Sequence, residues 1–271
     1  MKKISTIKKM ILLVILVLLL IYQIPASQKD FFKTYPKNDY AATTLKDFYN
    51  KKTKTVVVND ITWHYVSSGN SDKTILFLHG MGGAYDLWWQ QVRAFEKNYK
   101  VISYTLPEKI TTLEGALTGI KAILQNERVD TFTAVGTSMG GYIAQYLLKN
   151  IPDRLEKVVF SNTFPPNEEL RRENGIKSKV ITLLPEVLVD YLGKKSIKNK
   201  LLPAAHNDTL LAAFLPSLPF SKKQFINRYY VVVDRFTFNP SSYNYKKVPK
   251  LIIESDNDPL ISPQLRQAIK A

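Results

Sequence analysis

Cysteine is absent from all 271 residues. This excludes disulfides, cysteine-ligated zinc and a cysteine nucleophile, and it neither requires nor contradicts an exported location. Histidine is nearly as scarce. His64, His79 and His206 are the three in the chain, too few for a histidine-rich metal site. Acidic residues are outnumbered, 23 against 38 basic ones, giving a formal charge of +15. That excess forms no long basic block and is not interleaved with aromatics, so nucleic-acid binding is not expected. A solvated surface attracted to anionic membranes or cell surfaces accounts for it.

Apolar sequence, in contrast, is plentiful. At 45% hydrophobic, the chain can bury a sizeable core, as one domain with an insertion. Lys2, Lys3, Lys8 and Lys9 precede Met10 to Ile24, fifteen residues that are apolar apart from Gln23. A basic start followed by an apolar run is a secretory targeting pattern. At about 1.5 Å per residue the run reaches about 22 Å, short of a hydrocarbon core of about 30 Å and closer to a signal-peptide core. Cleavage after Ala26, however, leaves Ile24 where a small residue belongs and Pro25 beside the cut. The balance favours an uncleaved membrane anchor over residues 1–27, with the lysines cytoplasmic and the rest of the chain exported. Secretion after signal cleavage is the alternative. Residues 28–55 are polar with scattered aromatics and read as a juxtamembrane connector carrying one helix near Ala41 to Tyr49.

From residue 56 to the end the pattern is that of one α/β domain. Val56–Asn59 and Ile61–Ser67 read as two short strands meeting at an Asn59-Asp60 turn. Thr74–Leu78, Lys100–Tyr104, Thr131–Val135 and Leu155–Ser161 are apolar strands that alternate with amphipathic helices over Ala84–Asn98, Thr112–Asn126 and Gly141–Asn150. Such alternation signals a mostly parallel sheet with helices on both faces. It stops near Thr163. Residues 164–247 hold several helix-like pieces broken by Pro203, Pro216 and Pro219, within which Arg228–Phe238 fits either a strand or a helix. Leu251–Glu254 then resumes the strand pattern, followed by an Asp-rich loop and a helix from Ser262. An insertion in this position reads as a cap over the carboxyl edge of the sheet, where ligands bind in open α/β sheets.

The most informative stretch is Val135-Gly136-Thr137-Ser138-Met139-Gly140-Gly141. A strand leads into Gly-x-Ser-x-Gly and a helix leads out, the context in which the two glycines permit a sharp turn and leave a serine hydroxyl exposed at the top of a sheet. With His79-Gly80-Met81-Gly82-Gly83 after an earlier strand, and Asp258-Pro259-Leu260 after a later one, the chain from about Thr74 onward resembles the α/β-hydrolase family. The segments Tyr104–Pro107 and Val159–Phe164 add a resemblance to its maspardin-like branch. The resemblance implies Ser138 as nucleophile, the backbone N–H groups of Met81 and Met139 as oxyanion donors, and Asp258 as the acid, with Asp256 as the second choice. It implies no cofactor. His64 and His206 read as structural or surface residues, and His79 belongs to the oxyanion strand.

The catalytic histidine of that family follows one further strand, beyond the helix at Ser262, and no histidine stands there before Ala271. The last strand and helix are thus expected to be missing. A truncated working hydrolase, a degenerate member that binds without catalysis, and a base of another kind all fit. The expected activity is that of a serine hydrolase cleaving an ester or related acyl bond in a partly apolar small molecule, through a Ser138 acyl-enzyme. The alternative is a non-catalytic binding protein on the same fold.

Overall fold

The computed structural model describes residues 6–238 and 244–270. Seven strands form one sheet: β1 (Lys54–Val58), β2 (Ile61–Ser68), β3 (Thr74–Leu78), β4 (Lys100–Thr105), β5 (Phe132–Thr137), β6 (Leu155–Ser161) and β7 (Lys250–Ile253), in the order β1-β2-β4-β3-β5-β6-β7. The β1–β2 and β2–β4 pairs are antiparallel and the other four are parallel. All five residues of β3 are buried, as expected of a central parallel strand covered on both faces.

Side-chain alternation along the strands sorts the core into two layers. Tyr65, Leu76, Leu78, Ile102 and Tyr104 face the helices Leu113–Asn126 and Met139–Asn150. Val66, Ile75, Phe77 and Val101 face Trp89 and Val92 of the helix Trp89–Phe95 and a second group from the amino-terminal segment. Polar side chains close the helix ends. Thr112 accepts the Gly115 N–H and Ser262 accepts the Leu265 N–H, each satisfying an orphan amide of a first turn.

Residues 28–55, read from the sequence as a connector, are built into this second layer. The helices Phe31–Thr34 and Tyr40–Tyr49 bury Phe31, Ala41, Ala42, Leu45 and Phe48 against it. The expected membrane anchor requires correction. The amino-terminal helix runs Thr6–Tyr22, 17 residues, so it takes in Lys8 and Lys9 and leaves Gln23 and Ile24 outside. No helix of the described residues is long and apolar enough to cross a membrane. The apolar run was measured by composition, whereas the helix it forms ends before the run does. The transmembrane and signal-anchor reading and the extracytoplasmic placement built on it are withdrawn, as is membrane attachment through residues 1–27. The helix touches the rest of the fold at its end, where the Tyr22 hydroxyl donates to the Leu183 carbonyl and Lys222 lies over the Tyr22 ring.

Between β6 and β7 the described residues include the helices Glu169–Leu183, Glu186–Ser196, Thr209–Phe214 and Lys222–Val233. The stretch that fitted both periods is thus a helix through Val233, followed by an irregular segment.

Candidate active site

Ser138 sits between β5 and the helix Met139–Asn150 with φ 52° and ψ −121°. An L residue seldom adopts a positive φ, and holding it there costs of order 1–3 kcal/mol. The surroundings enforce it. The Ser138 N–H donates to the Ser161 and Asn162 carbonyls, and the Ser138 carbonyl accepts from Tyr142 N and Thr163 Oγ1. The flanking glycines are required by close approach. A Cβ at Gly140 would lie 2.1 Å from the Leu78 carbonyl oxygen, and one at Gly136 would lie 2.3 Å from the Gly140 oxygen. Both contacts are with backbone, which cannot step aside. Among the described residues the Ser138 hydroxyl has no hydrogen-bond partner, and the residue is half-buried.

The loop after β3 lies directly against this turn: a Cβ at Gly80 would be 3.3 Å from Ser138 Cβ and 3.9 Å from Oγ. A Gly83 N–H to Gly80 carbonyl bond closes the loop. Neither the Met81 nor the Met139 N–H donates to any partner among the described residues. The first is a turn amide, one residue after the Gly80 that lies against Ser138; the second is the first amide of a helix, at the positive end of its dipole.

His79 is a structural residue of that loop. Its Nδ1 donates to the Gly80 carbonyl at 2.7 Å, and Nε2 accepts the Leu106 N–H at 2.9 Å. Both ring nitrogens are engaged, which fixes the neutral tautomer. Burial, aided by the nearby Arg228 charge, pushes its pKa down to about 3.

Arg228 gave no signal in the sequence. It projects from the helix Lys222–Val233 into the space beneath the loop and is only 2% exposed. Its Nη1 donates to the Met81 and Gly83 carbonyls at 2.5 and 2.8 Å, and its Nη2 to the Leu106 carbonyl at 3.2 Å. No carboxylate pairs with it among the described residues. Burial pushes the guanidinium down to about 10, so it stays charged at neutral pH. Nothing local distinguishes it from the other basic residues of the chain; the fold alone brings it under the loop.

Asp258 is half-buried on the loop after β7, and its Oδ1 accepts the Leu260 and Ile261 N–H groups at 2.8 and 3.1 Å. Asp256 is exposed on the same loop, where its carbonyl accepts from Arg266. Asn162 links this loop to the serine turn. Its carbonyl accepts the Ser138 N–H, while its side chain exchanges two hydrogen bonds with Ser255. Asn257 in turn donates to the Ala204 carbonyl, two residues before the exposed His206. His64 is exposed on β2, opposite Thr55 and Thr105. No group of described residues is arranged to hold a metal ion.

The comparisons with known proteins agree with this architecture. No family model matches. The 3-oxoadipate enol-lactonase 2 of Acinetobacter baylyi is 27% identical over 118 residues, 40% of this chain and 44% of that protein. The pimeloyl-[acyl-carrier protein] methyl ester esterase of Vibrio campbellii is 25% identical over 130 residues, 47% of this chain and 51% of that protein. The chain thus spans about half the length of these curated relatives. The crystal structure of a hydrolase from Pseudomonas aeruginosa superposes with a TM-score of 0.62 at 13% identity, covering 82% of this chain and 96% of that one. None of these supports the finer placement in a maspardin-like branch. With its seven-stranded, mostly parallel sheet, its helical insertion and these structural neighbours, the chain has the α/β-hydrolase fold.

Proposed function

We propose that the protein is a serine hydrolase that cleaves an ester or related acyl bond in a partly apolar small molecule. One observation carries this reading: Ser138 is held at positive φ with its hydroxyl unengaged among the described residues, next to Met139 and against Gly80, and the Met139 and Met81 amides that follow them donate to no partner among those residues. A serine hydroxyl attacking a carbonyl creates an oxyanion, and such amides are what that charge requires. In the proposed reaction Ser138 Oγ bonds to the acyl carbon and its proton passes to a general base. The alcohol or other leaving group departs with a proton, and water then releases the acid from the acyl-enzyme. The relatives named for an enol-lactonase and a methyl ester esterase support an ester-type bond.

Asp258 is proposed as the acid that orients the base, since Oδ1 is taken up by the turn and Oδ2 is left without a partner among the described residues. His79 is unsuited to be the base, with both nitrogens committed. The described residues place no base against the Ser138 hydroxyl, and this observation favours a second reading, a binding protein on the same fold.

A fluorophosphonate probe separates the two. Covalent labelling of the folded protein that disappears in Ser138→Ala supports the hydrolase. A folded sample that stays unlabelled supports the binding protein.

A further inference from the structure

We infer that Arg228 is a positioning residue for the oxyanion loop, through which the helical insertion sets the geometry of the site. The inference rests on the proposed role of Ser138 and Met81. Apart from Arg228, the loop Gly80–Gly83 is held by the His79 Nδ1 and Gly83 N–H bonds to the Gly80 carbonyl and by Met81 packing on the core. Gly82 is exposed, and Gly82, Gly83 and Asp86 border an open cavity of about 600 Å³, so packing on that side is incomplete. Arg228 supplies what packing does not. One guanidinium spans three backbone carbonyls, two on the loop (Met81 and Gly83) and one on the segment after β4 (Leu106). Leu106 also donates its N–H to His79, so the contacts form a closed ring from insertion helix to loop to the end of β4. A planar fork with fixed donor directions suits such a task, and an ammonium on a flexible stem does not reproduce it.

Cost points the same way. A buried guanidinium without a carboxylate partner is costly to desolvate, and among the described residues the hydrogen bonds that offset this go to those three carbonyls. Binding the Met81 carbonyl fixes the Met81–Gly82 peptide, and the His79 and Gly83 bonds to the Gly80 carbonyl restrain the preceding peptide, which carries the Met81 N–H. The unpaired positive charge also favours negative charge on the far side of the loop, where an oxyanion forms.

The test uses the full chain as wild type, Arg228→Met and Arg228→Lys, with two readouts. The first is the kinetics of Ser138 labelling by a fluorophosphonate, resolved into the saturating rate and the half-saturating concentration. The second is amide hydrogen exchange of the peptide spanning Gly80–Ala84. Arg228→Met is expected to slow the saturating rate at least tenfold with little change in half-saturation, and to quicken exchange in that peptide while leaving β3 unchanged. Arg228→Lys, which keeps the charge and a donor, is expected to fall between the two and serves alone if the methionine variant does not fold. Unchanged labelling overturns the inference, whatever the exchange shows. If the wild type itself is not labelled, the Ser138 reading fails, and exchange then decides the clamp: no quickening overturns it.

Discussion

Replacing Ser138 with glycine is expected to make the protein more stable, even though it removes the proposed nucleophile. At φ 52° and ψ −121° the serine Cβ is held in a region glycine enters freely, and the strain released is of order 1–3 kcal/mol. Glycine gives back about 0.5–1 kcal/mol through the larger entropy of its unfolded chain. The hydroxyl makes no hydrogen bond among the described residues, so its loss adds no further penalty. A net gain of about 1 kcal/mol remains, which for a domain of this size raises Tm by about 2–4 °C. Ser138→Ala is the control. It removes the hydroxyl and keeps the Cβ, so it should stay within about 0.5 kcal/mol of wild type. Urea unfolding of the three proteins, read as midpoints at unchanged slope, measures both. A glycine variant no more stable than wild type, or an alanine variant that gains as much, refutes the claim that the turn stores backbone strain.

Two further substitutions probe the scaffold. A Cβ at Gly119 would lie 1.9 Å from Trp63 Cζ2 in the core, so Gly119→Ala should cost about 1–3 kcal/mol by thermal unfolding; a neutral effect would show that Trp63 has room to move. Glu127 is a buried carboxylate accepting from Lys54 Nζ, Tyr65 OH and Ser67 Oγ at 2.8, 2.9 and 2.8 Å. Burial alone would raise its pKa, but the hydrogen bonds from Lys54, Ser67 and Tyr65 outweigh it and hold the group below the ordinary glutamate value. A depressed folded pKa stabilises above the unfolded value of about 4.3 and is lost as pH falls through the folded one. The stability gap between wild type and Glu127→Gln should therefore shrink as pH drops from 7 towards 3, and a gap independent of pH would disprove this.

The serine turn was legible because its requirements are local. Two glycines, a preceding β-branched strand and a following helix all fall within a few residues. The sheet was legible for a similar reason, since each central strand is a short apolar run bounded by turn residues. Features that depend on distant partners were not. Phe31 and Phe48 stand among polar residues, yet both are buried against Trp89 and Phe214 of later helices, so the segment passed for a connector. Tyr229 to Val233 carries the β-branched signature of a strand, but helical packing against Tyr142 and Phe164 sets its conformation. The amino-terminal helix was misjudged because apolar composition does not state where a helix ends.

The insertion between Ser161 and Lys250 also bears on how such chains diversify. The entropic cost of closing a loop grows with the logarithm of its length, about 0.6 kcal/mol per doubling. Residues between β6 and β7 are therefore thermodynamically cheap to lengthen, shorten or exchange, provided β7 still pairs in register with β6. Arg228 limits that freedom at one point, because the guanidinium that binds the Met81, Gly83 and Leu106 carbonyls arrives from this insertion. A lineage that recasts the insertion inherits the obligation to return an arginine to that spot, or to rebuild the loop beside Ser138. Grafting an insertion from another member onto this sheet should succeed or fail on that single delivery more than on overall similarity.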